Sequence, residues 1–450
     1  MTAGIDLGTS SLKVMLADGS GAKNKVRVPY EKEGVSGFAA AVKKAFSLIG
    51  EDYSSVTFSS QTGTFVIDGK DIIPWHSPIG KEELKRVRES FSESEFAAEI
   101  AMDHPDISSY PVPRLMYINS HYPKAKRVCQ LKDEMIFLLT GNYVTDNCTW
   151  RGLAGNNGYS KKLLSFAGVK KEALPRLLTP FDEAGKVTPE GEALFGIRRG
   201  TKVYIGLNDY YAGLLGMGVT APGTLFDVTG TSEHIGSVTR ERSKKGAVSS
   251  PYFGAFVNYS VTASSGAALN FGSELFPSDI DTERSIKNSA PIFLPYLNGM
   301  RAPSNDPFAR GMFFGISKNT SKSDMAYSVV EGAAFSAYLA YLTLGGCEGD
   351  SVLTSGGGTK NRTYNMLKAS LWGKAFVPLL ESDTSALGAC ITAMTAQGTF
   401  KSTGEAALSL CRYGEAEKPR EILGLKKRFE LFLKLYETNK ENFIDFGRLV

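Results

Sequence analysis

The stretch GIDLGTSSLKVML, residues 4–16, decides the fold. Apolar residues alternate with small or polar ones on both sides of Gly8, Thr9 and Ser10, which predicts two strands joined by a tight hairpin turn. Glycine and hydroxyl groups in such a turn let backbone and side-chain donors approach phosphate oxygens closely. Asp6 lies on the incoming strand, where its carboxylate could hold Mg²⁺ or its waters beside those phosphates. An ordinary hairpin in which Asp6 caps the turn fits this stretch about equally well.

A second stretch, TLFDVTGTSEHIGSV at residues 224–238, repeats the pattern. It is again strand, turn and strand, with Gly-Thr-Ser at residues 230–232 in the turn. Because two such hairpins could bracket a triphosphate, the recurrence favours a phosphate site over two ordinary turns. It also predicts a duplicated α/β protein with domains at residues 1–212 and 213–450. No low-complexity linker separates these halves, so we expect the two domains to lie around an interdomain cleft.

A third glycine-rich segment lies between a predicted strand, SVLTS, and a predicted helix, NRTYNMLKASLWG. Gly356, Gly357 and Gly358 allow a planar ligand to approach the backbone, and the N-terminus of the following helix favours negative charge. Turns of this kind are common, so the segment is informative only together with the two hairpins. The sequence contains no GxxxxGK[ST] motif, and a nucleotide site here would therefore not be of the P-loop kind.

Composition excludes several other classes of function. The 450 residues carry 51 Lys and Arg against 47 Asp and Glu, and this net charge of +4 argues against a dedicated nucleic-acid binder. No HExxH or CxxC spacing occurs, so a zinc site of familiar type is not predicted. No run of about 18 apolar residues predicts a membrane span. Five scattered cysteines favour reduced thiols in a cytoplasmic protein, and the first residues do not resemble a signal peptide.

Asp209 lies in GLNDYYAG, residues 206–213, where a predicted strand opens into a glycine-rich turn and a helix. Transfer of a phosphoryl group to a hydroxyl needs a carboxylate within hydrogen-bonding reach of that hydroxyl, to accept its proton. A strand end beside a cleft is a suitable place for such a base. From the residues alone, a helix N-cap role for Asp209 is the stronger alternative.

Six segments, in order along nearly the whole chain, resemble the successive motifs of the FGGY carbohydrate kinases, within the actin, Hsp70 and sugar-kinase superfamily. They are GIDLGTSSLKVML, TGTSE, PIFLPYLNGMRAPSNDPFARGMFFGIS, VVEGAAFSAY, SGGGTKNRTYNMLKASLWG and ESDTSALGACITA. The resemblance implies two ribonuclease H-like (actin-like ATPase) domains, the first binding a sugar and the second a nucleotide. It also implies phosphorylation of a hydroxyl of a small sugar or polyol, with a ketose favoured, and the use of ATP and Mg²⁺.

The main alternative is an actin-like or Hsp70-like ATPase acting on a protein partner. Asp209 and the signature between Arg301 and Arg310 favour the kinase, because motor and chaperone relatives have no need of either. A small-molecule substrate is then the expected partner, without nucleic acid or membrane. The oligomeric state stays open, with a homodimer as one alternative.

The resemblance also implies roles for individual residues. Asp6 corresponds to the Mg²⁺-associated acid and Asp209 to the catalytic base. The residues expected to bind ATP come from the two hairpins and the glycine-rich segment: Gly8, Thr9, Ser10, Ser11, Lys13, Gly230, Thr231, Ser232, Gly357, Gly358 and Asn361. The residues expected to bind the sugar are Gln61, Thr62, Trp75 and Asp209.

The sugar-binding segments depart from the family pattern. QTGT at residues 61–64 stands where many relatives carry QMHG or QRET, and only Trp75 remains of a Trp-x-Asp-x-Arg stretch. Trp75 could pack against the apolar face of a sugar or fill a structural role, and His76 is expected to lie outside the ligand contacts. Trp150 and Arg151 stand where relatives carry small residues, and could reshape the pocket or pack between the domains. These departures predict altered specificity and not loss of activity.

Overall fold

The computed structural model describes residues 1–50, 52–155, 157–243, 246–278, 280 and 286–449. These residues form a mixed α/β protein with two six-stranded sheets and several smaller ones. The strands are β1 (Thr2–Leu7), β2 (Ser11–Asp18), β3 (Gly21–Pro29), β4 (Ser55–Ser60), β5 (Phe65–Ile67), β6 (Asp71–Ile73), β7 (Val128–Gln130), β8 (Val144–Asp146), β9 (Ala154–Gly155), β10 (Gly158–Tyr159), β11 (Arg176–Leu178), β12 (Glu183–Lys186), β13 (Lys202–Asn208), β14 (Leu225–Thr229), β15 (Glu233–Thr239), β16 (Val248–Tyr252), β17 (Ala255–Thr262), β18 (Ile292–Pro295), β19 (Gly311–Phe314), β20 (Ser351–Gly356) and β21 (Ala375–Pro378). The helices are α1 (Gly34–Ile49), α2 (Lys81–Ser90), α3 (Glu93–Ile100), α4 (Pro111–His121), α5 (Leu131–Thr140), α6 (Lys161–Ala167), α7 (Pro189–Phe195), α8 (Asp209–Gly216), α9 (Ser265–Leu275), α10 (Lys322–Leu342), α11 (Arg362–Trp372), α12 (Thr384–Ala396), α13 (Thr403–Leu410) and α14 (Leu425–Gly447).

The first large sheet has the strand order β12-β13-β4-β1-β2-β3. β1 pairs with β2 in an antiparallel hairpin and with β4 in parallel, so Asp6 lies opposite Lys13 on one side and Ser59 on the other. Alternate apolar residues of these strands pack with α1 into one core, while the residues between them point to the opposite face. The predicted hairpin is confirmed, and its polar side chains share one face of the sheet.

The second large sheet repeats this arrangement, with the order β16-β17-β15-β14-β20-β21. β14 pairs with β15 in an antiparallel hairpin and with β20 in parallel, so Asp227 lies opposite Ile235 and Thr354. The two hairpins therefore occupy equivalent positions in two sheets with the same central strand directions. The predicted α/β fold with two similar sheet-containing domains is confirmed.

The chain forms two compact units. The first comprises Met1–Thr220, Ser250–Gly254 and Asp383–Cys411, and the second comprises Ala221–Ser249, Ala255–Ser382 and Arg412–Val450. Helices α12 and α13 thus belong to the first unit, although most of the second unit precedes them in the chain. The division of functional domains at residues 212 and 213 stays a prediction.

Helices α8 and α12 pack closely within the first unit because glycine lies where they meet. A Cβ at Gly216 of α8 would overlap the carbonyl oxygen of Thr384 in α12. A Cβ at Gly388 of α12 would overlap the carbonyl oxygen of Ala212 in α8. The first turn of α12 therefore lies against the start of α8, where Ser385 Oγ donates to the backbone oxygen of Asp209 at 3.1 Å. A returning helix thus helps to fix the position of Asp209.

Several local predictions agree with these elements. The strand predicted for SVLTS is β20, and the helix predicted for NRTYNMLKASLWG is α11. The strands predicted on either side of the two hairpin turns are β1, β2, β14 and β15. No helix of the described residues combines the length and the apolar character needed to cross a membrane.

Candidate active site

Asp6 lies at the end of β1, just before the first hairpin turn, and is 4% exposed. Ser59 Oγ donates a hydrogen bond to Asp6 Oδ1 at 3.2 Å, and Lys13 Nζ lies 3.8 Å from Asp6 Oδ2. Lys13 Nζ is closer to Asp383, at 3.3 Å. Burial raises the pKa of Asp6 to about 7, Asp209 adds to the increase, and Lys13 opposes it. Asp6 is thus a buried acid that shares its nearest cation.

This environment suits a magnesium ion better than a metal held in a protein cage. In the part of the chain that the structure describes, no group of three or more His, Cys, Asp or Glu side chains is arranged to hold a metal. Mg²⁺ usually takes one or two carboxylates and completes its shell with waters and substrate phosphates. A buried carboxyl with a pKa of about 7 gains from such a cation, because the cation stabilises its ionised form. Asp6 therefore fits the role that the resemblance implies.

Asp209 is the first residue of α8 and is half-buried. The N-cap is Asn208, whose Oδ1 accepts a hydrogen bond from Tyr211 N at 2.9 Å, so the N-cap alternative for Asp209 is wrong. Thr62 donates to Asp209 Oδ1 through both its backbone N and its Oγ1, each at 3.3 Å, and Tyr210 N donates to the same oxygen at 2.9 Å. Among the described residues these donors all meet Oδ1.

The charge on Asp209 depends on two opposing effects. Burial raises the pKa of Asp209, whereas Arg151 and the hydrogen bonds from Tyr210 and Thr62 lower it. The positive end of the α8 dipole also favours the ionised carboxylate. The pKa of Asp209 is therefore raised above its ordinary value, which favours uptake of a proton by this carboxylate.

The segment after β4 brings expected sugar-binding residues next to the first hairpin. Gln61 N donates to Leu7 O at 3.1 Å, and Gln61 Nε2 lies 3.4 Å from Gly8 O. Trp75 Nε1 donates to Thr9 Oγ1 at 3.1 Å, while the Trp75 side chain remains 40% exposed. Residues predicted for the sugar and residues predicted for phosphate are therefore direct neighbours in the first unit.

Arg114 supports the Trp75 turn and was not predicted to do so. Its side chain is fully buried, and its Nη2 donates to the backbone oxygens of Pro74, Trp75 and Ser77 at 3.2, 3.2 and 3.0 Å. His76 is exposed, with its ring edge-on to that of Trp75. A charged residue within the apolar helix α4 was the available signal, since a buried cation needs compensating acceptors.

Trp150 and Arg151 take different positions although they are adjacent in the chain. Trp150 is fully buried, and its Nε1 donates to Asp133 Oδ2 at 3.0 Å, which makes it a core residue of the first unit. The guanidinium carbon of Arg151 lies within 5.8 Å of three aromatic ring centres, those of Tyr110, Tyr210 and Tyr211. Arg151 is therefore the member of the pair that lies near Asp209.

In the second unit, three segments pack closely against one another at positions occupied by glycine. Gly356 has φ of 92°, and a Cβ there would overlap the backbone oxygen of Thr229. A Cβ at Gly358 would lie 2.6 Å from the Thr229 side chain, and one at Gly266 in α9 would overlap the backbone oxygen of Gly230. The second hairpin turn, the glycine-rich segment and the start of α9 thus approach one another at distances that require glycine.

The predicted nucleotide residues of the second unit differ in exposure. Gly230, Thr231 and Gly357 are exposed, and Ser232 is half-buried. Asn361 is buried: its Oδ1 caps α11 by accepting from Tyr364 N at 2.8 Å, and its Nδ2 donates to Ile280 O at 3.1 Å. The Asn361 side chain therefore has structural contacts, and its role in nucleotide binding stays a prediction.

A buried ionic cluster lies beneath the second hairpin. Lys368 Nζ bonds Asp227 Oδ2 and lies 2.9 Å from Glu233 Oε1, which also accepts from Thr229 Oγ1 at 2.8 Å. Tyr364 OH donates to Glu233 Oε2 at 2.6 Å. Burial and the neighbouring Glu233 raise the pKa of Asp227 well above its usual range. At Glu233 burial also raises the pKa, but Lys368 and several hydrogen bonds, one of them from Tyr364, together lower it to about 2. Two carboxyl groups therefore share one ammonium, and the neutral form is favoured more at Asp227 than at Glu233.

Comparison with known proteins identifies the family of this site. Residues 38–216 match the N-terminal domain, and residues 225–397 the C-terminal domain, of the FGGY family of carbohydrate kinases. The chain belongs to this family. Relatives of this FGGY kinase include the xylulose kinase of Bacillus subtilis (strain 168), 24% identical over 491 residues with 97% of each chain covered. The xylulose kinase of Staphylococcus xylosus is 23% identical over 479 residues, which cover 97% of this chain and 98% of the relative.

Solved structures share the fold of this FGGY kinase over nearly its whole length. A ligand-bound xylulose kinase and a gluconate kinase, both from Lactobacillus acidophilus, superpose with TM-scores of 0.87 and 0.86 at 22% identity, each with 99% of both chains covered. Plasmodium falciparum glycerol kinase with ADP superposes with a TM-score of 0.83 at 16% identity, covering 100% of this chain and 98% of that one. At these identities the likeness establishes the fold alone.

Family membership makes the chain a sugar kinase, a phosphotransferase that acts on a small carbohydrate. The alternative of an actin-like or Hsp70-like ATPase acting on a protein partner is not favoured, because both matching domains are those of carbohydrate kinases.

Proposed function

We propose that this FGGY kinase transfers the γ-phosphoryl group of ATP to a hydroxyl of a small ketose, with Asp209 as the general base. The observation that carries the proposal is the orientation of the Asp209 carboxylate. Thr62 and Tyr210 hold Oδ1 through three hydrogen bonds, and Oδ2 is left to accept the proton of a substrate hydroxyl. A carboxylate held in this way needs little reorganisation when the hydroxyl attacks phosphorus.

The surroundings of Asp209 set its strength as a base. Burial alone would keep the carboxyl protonated and unable to act, because a buried charge is costly. Arg151 and the first turn of α8 counter this effect by stabilising the ionised form. The net result is a pKa of Asp209 above its ordinary value, which makes the carboxylate a stronger base for the proton that the sugar hydroxyl loses as its oxygen bonds phosphorus.

Nucleotide binding is proposed for the backbone of the two hairpin turns. In the first unit these groups are Gly8 to Ser11, with Lys13 beside them, and in the second unit they are Gly230 to Ser232 with the segment of Gly357 and Gly358. Backbone and hydroxyl donors of such turns suit phosphate oxygens. Asp6 would hold Mg²⁺, which supplies neutralisation of phosphate charge when it is bound.

A ketose is proposed because the relatives that cover nearly the whole chain are named xylulose kinases. Gln61, Thr62 and Trp75 are the proposed contacts, since Thr62 bonds Asp209 while Gln61 and Trp75 contact the first hairpin turn. The gluconate kinase of similar fold shows that this architecture does not by itself specify the sugar. Coupled detection of ADP across a panel of ketoses, aldoses, polyols and aldonates tests the substrate class. A preference for an aldose or polyol would contradict the ketose assignment.

The proposed base is tested by Asp209→Asn, which keeps the shape of the side chain and removes its basicity. We expect kcat to fall by at least on the order of 10²-fold, the range for a positioned general base. Binding of MgATP should be nearly unchanged. Asp68→Asn is the matched control in the same unit, because Asp68 Oδ1 also accepts from backbone donors, Lys126 N and Arg127 N, but in the turn between β5 and β6. Near-normal turnover of Asp209→Asn would show that the base has been wrongly assigned.

A further inference from the structure

Gln130 connects two turns that are far apart in the sequence. It lies directly before α5 and is fully buried. Its Oε1 accepts a hydrogen bond from Gly63 N at 2.9 Å, and its Nε2 donates to Thr149 O at 2.7 Å. Both ends of the side-chain amide are therefore used by backbone groups, one in the turn after β4 and one in the turn after β8.

Both turns lead to the start of α8. Thr62, the neighbour of Gly63, donates twice to Asp209 Oδ1. Arg151, two residues beyond Thr149, has its Nη1 3.4 Å from Oδ1 of Asn208, the residue that caps α8. In addition, Asn208 Nδ2 donates to the backbone oxygen of Cys148 at 2.8 Å. The amide of Gln130 thus sets the spacing of two segments that flank the proposed base.

Gln130 is itself held rigidly. Its backbone N donates to Asp133 Oδ2 at 3.2 Å, and that carboxylate also accepts from Trp150 Nε1 at 3.0 Å. The other oxygen of Asp133 accepts from Thr145 Oγ1 at 2.7 Å and lies 3.1 Å from Lys132 Nζ. All of these side chains are fully buried. A buried network in which the polar atoms are paired resists displacement, because any movement leaves a polar group without a partner.

We propose that Gln130 is a positioning residue for Asp209, holding the Gly63 and Thr149 turns so that Thr62 and Arg151 lie against the start of α8. The inference rests on the proposed function in one respect, that Asp209 is the base. Gln130 has no contact with Asp209 and acts through Thr62 and the Thr149 turn. Removing its amide leaves the buried Gly63 N–H unpaired, and the turn shifts to satisfy it. A displacement of about 1 Å in a catalytic arrangement can lower the rate by roughly 10²-fold.

The test compares Gln130→Met with Gln397→Met in the complete chain. Gln397 Nε2 also bridges two segments of the first unit, donating to Thr2 Oγ1 at 3.1 Å and to Ser55 Oγ at 2.8 Å, where β1 and β4 begin and not where they end. For Gln130→Met we expect kcat to fall by about 10- to 100-fold, with the KM for MgATP within about twofold of wild type. For Gln397→Met we expect a lower unfolding midpoint and a kcat near wild type.

A double-mutant cycle identifies the route of the effect. If Gln130 acts through Thr62, then Gln130→Met lowers kcat by a smaller factor when Thr62→Ala is already present. Thr62→Ala has then already removed the hydroxyl, one of the two donors that Gln130 positions. Equal kcat values for Gln130→Met and Gln397→Met, or fully additive losses in the cycle, would overturn the proposal.

A third substitution keeps the proposal testable if Gln130→Met does not fold. Gln130→Glu retains the oxygen that accepts from Gly63 and loses the donor to Thr149, so its kcat should lie below that of Gln397→Glu. Equality of those two values would refute the positioning role. Loss of activity in Asp209→Asn together with normal kcat in every Gln130 variant would refute this inference and leave the proposed base intact. An active Asp209→Asn would instead contradict the base itself.

Discussion

The two hairpins have the same strand pairing, yet the acids beneath them lie in different surroundings. Asp6 faces Lys13, which is shared with Asp383 and has a side chain that is 27% exposed. Asp227 bonds Lys368, which is 1% exposed and also holds Glu233. Burial raises the pKa of both acids, to about 7 for Asp6 and well above the usual range for Asp227.

The difference shows how one motif serves two purposes. The cation beside Asp6 comes from the hairpin itself, is partly exposed and lies near two acids, and we propose that a metal ion takes its place beside Asp6. The cation beside Asp227 comes from α11, and a network of buried side chains fixes it in place. The first hairpin therefore keeps an acid that can change its charge and its partner. The second uses its acid to fasten the glycine-rich segment and α11 to the sheet.

Lys368→Met is expected to have the largest effect on stability. It removes the one ammonium between two buried carboxyl groups while roughly keeping the side-chain volume, and breaking a buried ion pair on one side costs about 3–5 kcal/mol. Chemical denaturation of the ligand-free chain measures the loss. Lys13→Met is the matched control from the first hairpin, where a partly exposed pair contributes less than about 1 kcal/mol. Similar losses in the two variants would show that the hairpins do not differ as described.

Asp6→Asn is expected to stabilise the ligand-free chain above neutral pH and to impair catalysis. In the folded state Asp6 keeps its proton up to a pKa of about 7, against a value of 3.8 when it is solvated. The wild type therefore loses stability as the pH rises from about 4 to 7, by at most about 4 kcal/mol, because folding then opposes ionisation. The asparagine variant lacks this loss. Chemical denaturation at pH 4.5 and pH 8 should show that the free energies of unfolding of the two proteins differ less at pH 4.5 than at pH 8.

The kinetic part of the same prediction uses Asp227→Asn as control. Without the Asp6 carboxylate we expect productive use of MgATP to weaken by on the order of 10²-fold, with an altered dependence of rate on Mg²⁺. Because the raised pKa of Asp227 favours its neutral form, an amide in its place should leave turnover within about threefold of wild type. An unchanged Mg²⁺ dependence in Asp6→Asn would count against its role with the metal.

Local sequence predicted much of the fold, whereas contacts between residues that are distant in the sequence could not be predicted from it. The two hairpins follow from strand alternation around Gly8 and Gly230, because turn and strand preferences are set within a few residues. The resemblance added Asp209, for which the residues alone favoured a cap. Gln130 and Lys368 could not be found in this way. Gln130 bonds Gly63 across 67 positions and Lys368 bonds Asp227 across 141, and nothing in either local sequence marks the partner.

The smallest expected effect on stability comes from Asp383→Asn, which changes the group formed by Asp6, Lys13 and Asp383. Asp383 draws Lys13 away from Asp6, and its own negative charge raises the pKa of Asp6 slightly. Removing that charge should lower the pKa of Asp6 slightly, both directly and by leaving Lys13 closer to Asp6, since Asp383 is the weakest of the causes that raise it. The loss of stability between pH 4 and 7 should then end at a lower pH and be smaller. The effect should vanish when Asp383→Asn is made in an Asp6→Asn chain, because the titrating group is then absent. A change of equal size in that background would mean that Asp383 acts on stability through Lys25, its other cation partner at 3.3 Å, and not through Asp6.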